Sequence, residues 1–162
     1  MANQKERYSM KGKGNEMKIT EKQLDEMLKD DFKPIPKAND ILSDEVKNLF
    51  ENSKLYSQDG MKEKAKVKAR FFNPYGIETW LALEGQQENE YFTCFGMVNL
   101  GSGFEYGYFT LNELFEAKKG DLHLIERDLH FDECTLEEAL KDESEEAWKE
   151  YESRFLKEDE EN

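Results

Sequence analysis

Residues 66–84 read KVKARFFNPYGIETWLALE, and this stretch decides the fold class. At its start, apolar Val67, Ala69 and Phe71 alternate with Lys66, Lys68 and Arg70. A period of two places successive side chains on opposite sides of an extended chain, so the pattern predicts a half-buried strand. Asn73, Pro74, Tyr75 and Gly76 then predict a β-turn, with Pro74 in the second position, where its preset φ fits. The next strand is expected to carry Ile77, Thr79, Leu81 and Leu83 on one side and Trp80 and Ala82 on the other. Two strands joined by so short a link begin an antiparallel sheet.

Working outward, GQQENE (85–90) reads as a polar connector and YFTCFGMVNL (91–100) as an aromatic-rich central strand. GSGFEYG (101–107) reads as a glycine-rich turn, and YFTL (108–111) as a short fourth strand. Thr110 with Glu113 predicts a capping box, opening a helix with Leu111, Leu114 and Phe115 inward and Gly120 as its stop. DLHLIERDLHF (121–131) is expected to be a further strand. Upstream, Ser43 caps a helix expected over 43–58, with Val46, Leu49 and Phe50 as its apolar stripe. Residues 1–16 are polar and aperiodic and are expected to be disordered. Residues 17–42 hold a short helix signalled by Thr20 and Gln23, with Leu24, Met27 and Leu28, and a linker containing Pro34 and Pro36.

At the other end, Thr135 and Glu138 predict a third capping box. Leu136, Ala139, Leu140, Ala147, Trp148, Tyr151 and Phe155 then recur at helical spacing. The stripe is empty across KDESEE (141–146), where the helix is expected to break or stand away from the core. The expected fold is α+β: an antiparallel sheet of four to five strands, helices on one face, and an acidic C-terminal helix. The core domain is placed at 43–134, followed by the acidic helix and tail at 135–162.

Composition narrows the classes. Of 162 residues, 37% are hydrophobic and 37% charged, which predicts a normal core in part of the chain and solvated segments elsewhere. No run is long and apolar enough to cross a membrane, and no secretory signal is expected, so the expected location is cytoplasmic. Cys94 and Cys134 do not make a disulfide framework; Cys94, among aromatics, reads as a buried small hydrophobe. The net charge is −14, and it is uneven. Residues 1–72 hold 16 Lys and Arg against 13 Asp and Glu, whereas residues 132–162 hold 4 against 14. Like charges repel a phosphate backbone, so direct nucleic-acid binding by the second half is not expected.

Three features carry candidate chemistry. In IERDLHF (125–131), an extended chain would put Glu126, Asp128 and His130 on one face, able to hold a metal or move protons, and Arg127 on the other, able to pair with a carboxylate. The plainer alternatives are a solvated sheet edge that anchors the point where the acidic tail departs, and a protein-binding surface. His123 and His130 lie seven apart, which matches no standard metal signature, and no nucleophile has a matched base, so neither metal, cofactor nor enzymatic activity is expected. The second feature is the aromatic set from Phe71 to Phe109, mostly core, with one sheet face available to a partner. The third is the acidic C-terminal helix. Glu137, Glu138, Asp142, Glu143, Glu145, Glu146, Glu150 and Glu152 are the residues expected to meet a basic protein surface, imitating a row of phosphates.

From Phe71–Phe72–Asn73–Pro74 through Thr79–Trp80–Leu81, Gly96, Leu100–Gly101, Gly107–Tyr108 and Leu111–Glu113–Leu114 to Ile125–Phe131, the chain resembles the bacterial domain-of-unknown-function family 2958. The resemblance covers residues 43–131, leaving out the N-terminal helix and the acidic tail. It implies a single small domain and a plasmid or mobile-element setting, and names no reaction. That setting, with the charge, leads to the expected function: a non-enzymatic inhibitor of the anti-CRISPR or anti-restriction type. It would cover the basic surface of a nucleic-acid-handling host protein such as a CRISPR or restriction nuclease. The alternatives are an enzyme or metal protein centred on Glu126, Asp128 and His130, and an accessory module in plasmid maintenance.

Overall fold

The computed structural model describes residues 20–22 and 37–157. The disordered segment expected at 1–16, and nearly all of the helix expected after Thr20, lie outside them. Pro36–Asn162 forms one compact unit. At its centre are the strands β2 (Ala69–Phe72), β3 (Thr79–Glu88), β4 (Tyr91–Asn99), β5 (Phe104–Thr110) and β8 (Glu126–Arg127). They form a five-stranded antiparallel sheet in the order β5-β4-β3-β2-β8. Two short pairs flank it: β1 (Lys66–Val67) with β9 (Cys134–Thr135), and β6 (Lys118–Lys119) with β7 (Leu122–His123). The expected α+β architecture is the one that forms.

The period-two reading of 66–72 holds, with Val67, Ala69 and Phe71 buried. The turn also holds: Gly76 N–H donates to the Asn73 carbonyl at 3.1 Å, and Asn73 Oδ1 accepts from Tyr75 N–H at 2.9 Å. Ile77 does not join the next strand; it lies 67% exposed, and β3 starts at Thr79. From there to Leu83 every side chain is buried, because this strand has helices over both faces. β3 also runs through GQQE instead of ending before a connector. Ladder pairing of Gln86, Gln87 and Glu88 with Thr93, Phe92 and Tyr91 satisfies that polar backbone, and the hairpin turns at Asn89–Glu90. Likewise β5 begins at Phe104, inside the stretch expected to be a turn. The turn contracts to 100–103, where Gly101 and Gly103 adopt φ of 127° and 99° and donate to Asn99 Oδ1.

One irregularity sets the phase of the sheet. Ala82 faces Gly96 and Glu84 faces Phe95, so Leu83 is an extra residue, a β-bulge. Before it, Trp80 and Ala82 point to one core, and Leu81 and Leu83 to the other. After it, Glu84 joins the side of Leu83 instead of entering the core of Trp80. Opposite, Gly96 is required by a close approach, since a Cβ there would meet the Leu81 carbonyl.

Helices α1 (Asp44–Asn48) and α2 (Leu111–Glu116) cover one face, where Val46, Phe50, Phe71, Trp80, Phe92, Leu111 and Leu114 form the core. Both are shorter than expected. α1 keeps its Ser43 cap, but beyond Asn48 the backbone finds partners on β3: Gly85 N–H donates to the Ser53 carbonyl, and the Glu84 carboxylate accepts from Tyr56 and Gln58 N–H. α2 has both capping-box bonds from Thr110 and Glu113, but it ends at Glu116 because the chain turns into the β6–β7 hairpin. Gly120 serves that hairpin, not the helix end. On the opposite face lie α3 (Leu136–Glu143) and α4 (Glu145–Tyr151), over Leu81, Leu83, Met97 and Phe104. The break foreseen at KDESEE falls at Ser144, whose extended backbone (φ −170°) ends α3 and whose hydroxyl caps α4. These helices do not stand away: Leu136, Ala139, Leu140 and Tyr151 are buried.

Candidate functional site

IERDLHF is not one strand. β8 holds only Glu126 and Arg127, and the chain then turns, with Asp128 Oδ1 accepting from His130 N–H at 2.9 Å. The extended face that would have aligned Glu126, Asp128 and His130 is therefore not formed, and the His130 side chain is exposed. Among the described residues, no group of three His, Cys, Asp or Glu side chains is placed to hold a metal. His123 is packed against Phe115, its ring 4.8 Å from the phenyl ring and Nδ1 3.1 Å from the Phe115 carbonyl oxygen.

Charge gathers instead around Arg70. Its guanidinium meets Glu143 at 2.5 Å and Asp128 at 3.4 Å, and lies 4.9 Å from the Phe72 ring centre. Burial alone would lower its pKa, but the bond and charge of Glu143, with Asp128, outweigh burial and raise it above the ordinary guanidinium value. The IERDLHF segment and the acidic helix, separate in sequence, thus share one arginine. Arg127 pairs with Glu45 at 3.5 Å, while its buried Nε has no hydrogen-bond partner among the described residues. Arg127 and Asp128 also line a cleft of about 220 Å³ with Lys68 and Glu133, which form an ion pair. The segment anchors the sheet and touches a small charged cleft; Glu126 and His130 do not line it.

On the acidic helices the expected partner-binding residues divide. Glu138 is used by its capping box with Thr135, which holds its carboxyl below the ordinary 4.5. Glu143 belongs to Arg70. Glu137, Glu145 and Glu150 make i,i+4 pairs with Lys141, Lys149 and Arg154; on a solvated helix such pairs are weak and leave the carboxylates accessible. Asp142 and Glu146 are exposed, and Glu152 is half-buried.

What sequence reasoning missed is how the aromatic face is assembled. Tyr106 and Tyr151 hydroxyls are 2.5 Å apart. Phe95 stacks on Tyr106 (5.6 Å between ring centres, 2°), and Phe155 stands edge-on to it (5.2 Å, 77°). Beside them a cleft of about 350 Å³ opens between these rings and the 58–62 loop. Burial is the main cause that raises both tyrosines above their ordinary 10.0, and the Glu63 carboxylate adds to it. Glu84, 3% exposed, fixes the loop through the N–H groups of Tyr56 and Gln58. The one signal for it was an acid ending an otherwise apolar run, TWLALE.

Fold and surface together define a small, strongly acidic α+β domain with ion-paired edges and an aromatic cleft. The chain belongs to the family described as protein of unknown function (DUF2958), whose model matches residues 41–142. The match runs further than the resemblance read from the motifs: it takes in most of α3, and α4 and the residues after it lie beyond. No curated protein and no solved structure matches the chain. Among the described residues no helix is long and apolar enough to cross a membrane.

Proposed function

We propose that this chain is a non-enzymatic binding protein whose acidic C-terminal helices dock on the basic surface of a nucleic-acid-handling protein. We place it in the cytoplasm and on a mobile element, as an inhibitor of a host defence nuclease of the CRISPR or restriction type. One observation carries the reading: exposed Asp142, Glu145, Glu146 and Glu150 stand on helices fixed by buried Leu136, Leu140 and Tyr151 and by the Glu143–Arg70 pair. Carboxylates held on packed helices keep their spacing, so they can match a groove built for phosphates without ordering a loose tail on binding.

The test is capture from a host lysate at low and at high salt, with the wild-type chain and with a variant carrying Asp142→Asn, Glu145→Gln, Glu146→Gln and Glu150→Gln. The expected result is salt-sensitive capture of a basic, nucleic-acid-binding protein that the variant loses. Capture that is indifferent to salt and to the four substitutions overturns the proposal.

A further inference from the structure

The 350 Å³ cleft belongs to neither the charged edge nor the acidic outer face of the helices. Its volume is that of a small-ligand site, at the lower end of the roughly 300–1,000 Å³ that such cavities span. The wall is mainly apolar and aromatic, from Leu83, Phe95, Tyr106, Tyr151 and Phe155.

Its polar groups are already engaged. The Glu84 oxygens accept from the loop, and the Gln58 side chain bonds to the Lys66 and Leu83 backbone. The two tyrosine hydroxyls bond to each other, and Lys62, the cation on the wall, donates to the Phe155 carbonyl at 3.5 Å. Specificity must therefore come from shape and from the field, in which the carboxylates Asp59 and Glu84 on the wall and Glu63 beside it outnumber the one cation, Lys62. Glu63 acts on the hydroxyls of both Tyr106 and Tyr151 as a negative charge. Tyr108, bonded to Tyr56, is pushed up to about 12, with Glu84 and Asp59 adding their charges. Asp59 itself is exposed on the cleft wall. Aromatic faces and carboxylates both attract a cation and repel an anion.

We propose that this cleft is a binding site for a small organic cation with a flat apolar body, the body lying against Leu83, Phe95 and Phe155 and the charge facing Asp59. The site does not rest on the partner proposal, and either can fail alone.

The test uses the full chain and three isosteric probes: benzamidinium, neutral benzamide and anionic benzoate, titrated by NMR at pH 7. Benzamidinium is expected to shift the resonances of Leu83, Phe95, Tyr106 and Phe155, and to bind at least about tenfold more tightly than benzamide. Benzoate is expected to leave them unmoved. Asp59→Asn, an exposed substitution that keeps the fold, is expected to reduce the preference over benzamide to about threefold or less. Equal binding of benzamide or benzoate overturns the proposal. So does a full preference retained by Asp59→Asn, an absence of shifts at millimolar benzamidinium, or shifts confined to the acidic face of α3 and α4.

Discussion

Phe71 and Tyr106 stand on opposite faces of one sheet, and their surroundings differ in kind. Phe71 is fully buried among Trp80, Ile41 and Phe50, in a core closed by α1 and α2. Tyr106 is half-buried, hydrogen-bonded to Tyr151, and borders an open cleft. The first face is close to a pure hydrocarbon core; the second mixes rings, hydroxyls and nearby carboxylates. The strands are shared, so the difference arises from the alternation of side chains along them. Both faces bury a core, but only the second leaves an aromatic margin open to carry polar chemistry.

Four variants measure that division. Phe71→Ala removes a fully buried ring from the closed face and is expected to cost about 3–5 kcal/mol in urea unfolding. The Tyr106 and Tyr151 resonances should stay in place; if they move as far as those of Trp80, the two faces are not separate. Glu84→Gln puts an amide where two backbone N–H groups require acceptors. It is expected to cost about 1.5–3 kcal/mol and to speed hydrogen exchange at Tyr56 and Gln58.

Tyr151→Phe leaves the Tyr106 hydroxyl without its partner and is expected to cost about 0.5–1.5 kcal/mol at pH 7. It also tests a pH dependence. The folded state keeps Tyr106 and Tyr151 protonated above their ordinary 10.0, and burial keeps the Cys94 thiol protonated above its ordinary 9.0. The unfolded chain releases these protons first, so the stabilisation is full below about pH 9 and is lost as pH rises above that. Unfolding midpoints followed from pH 8 to 11 should fall for the wild type and fall less steeply for Tyr151→Phe. Smallest of all, replacing exposed Asp142 and Glu146 by Asn and Gln should change stability by no more than about 0.5 kcal/mol. A larger loss would make them structural and remove them from the surface proposed for a partner.

Legibility from sequence was local. Alternation at 66–72, the turn at Asn73–Pro74, the caps at Ser43, Thr110 and Thr135 and the break at KDESEE all depend on neighbours within a few residues. Except for the GQQE hairpin, whose partner strand lies only a few residues on, the misreadings share one cause, which is partners far along the chain. GQQE became strand because Tyr91–Thr93 lies opposite it. The helix after Ser43 stopped because Glu84, 26 residues beyond Gln58, takes the loop's N–H groups. Glu126, Asp128 and His130 were grouped by assuming a strand that β2 extends only to Arg127. The cleft was invisible for the same reason: its wall joins residues 58–62, 83–84, 95, 106, 151 and 155. The aromatic residues were noticed, but their division into closed core and open face depends on the sheet's phase.

The bulge at Leu83 decides how the chain can change length. β3 uses ten residues against nine in β4, and Leu83 is the surplus. Removing Leu83 would regularise the ladder while Glu84 still meets Phe95, so every later side chain would keep its face. Removing or adding one residue elsewhere within the paired run would exchange the faces of the residues on one side of the change, and between Thr79 and Ala82 it would set Glu84 against the core of Trp80 or move Trp80 itself. Within this strand, a single-residue deletion is expected to be absorbed at position 83, and other length changes beyond its ends, in the turn at 73–76 or the hairpin at 89–90.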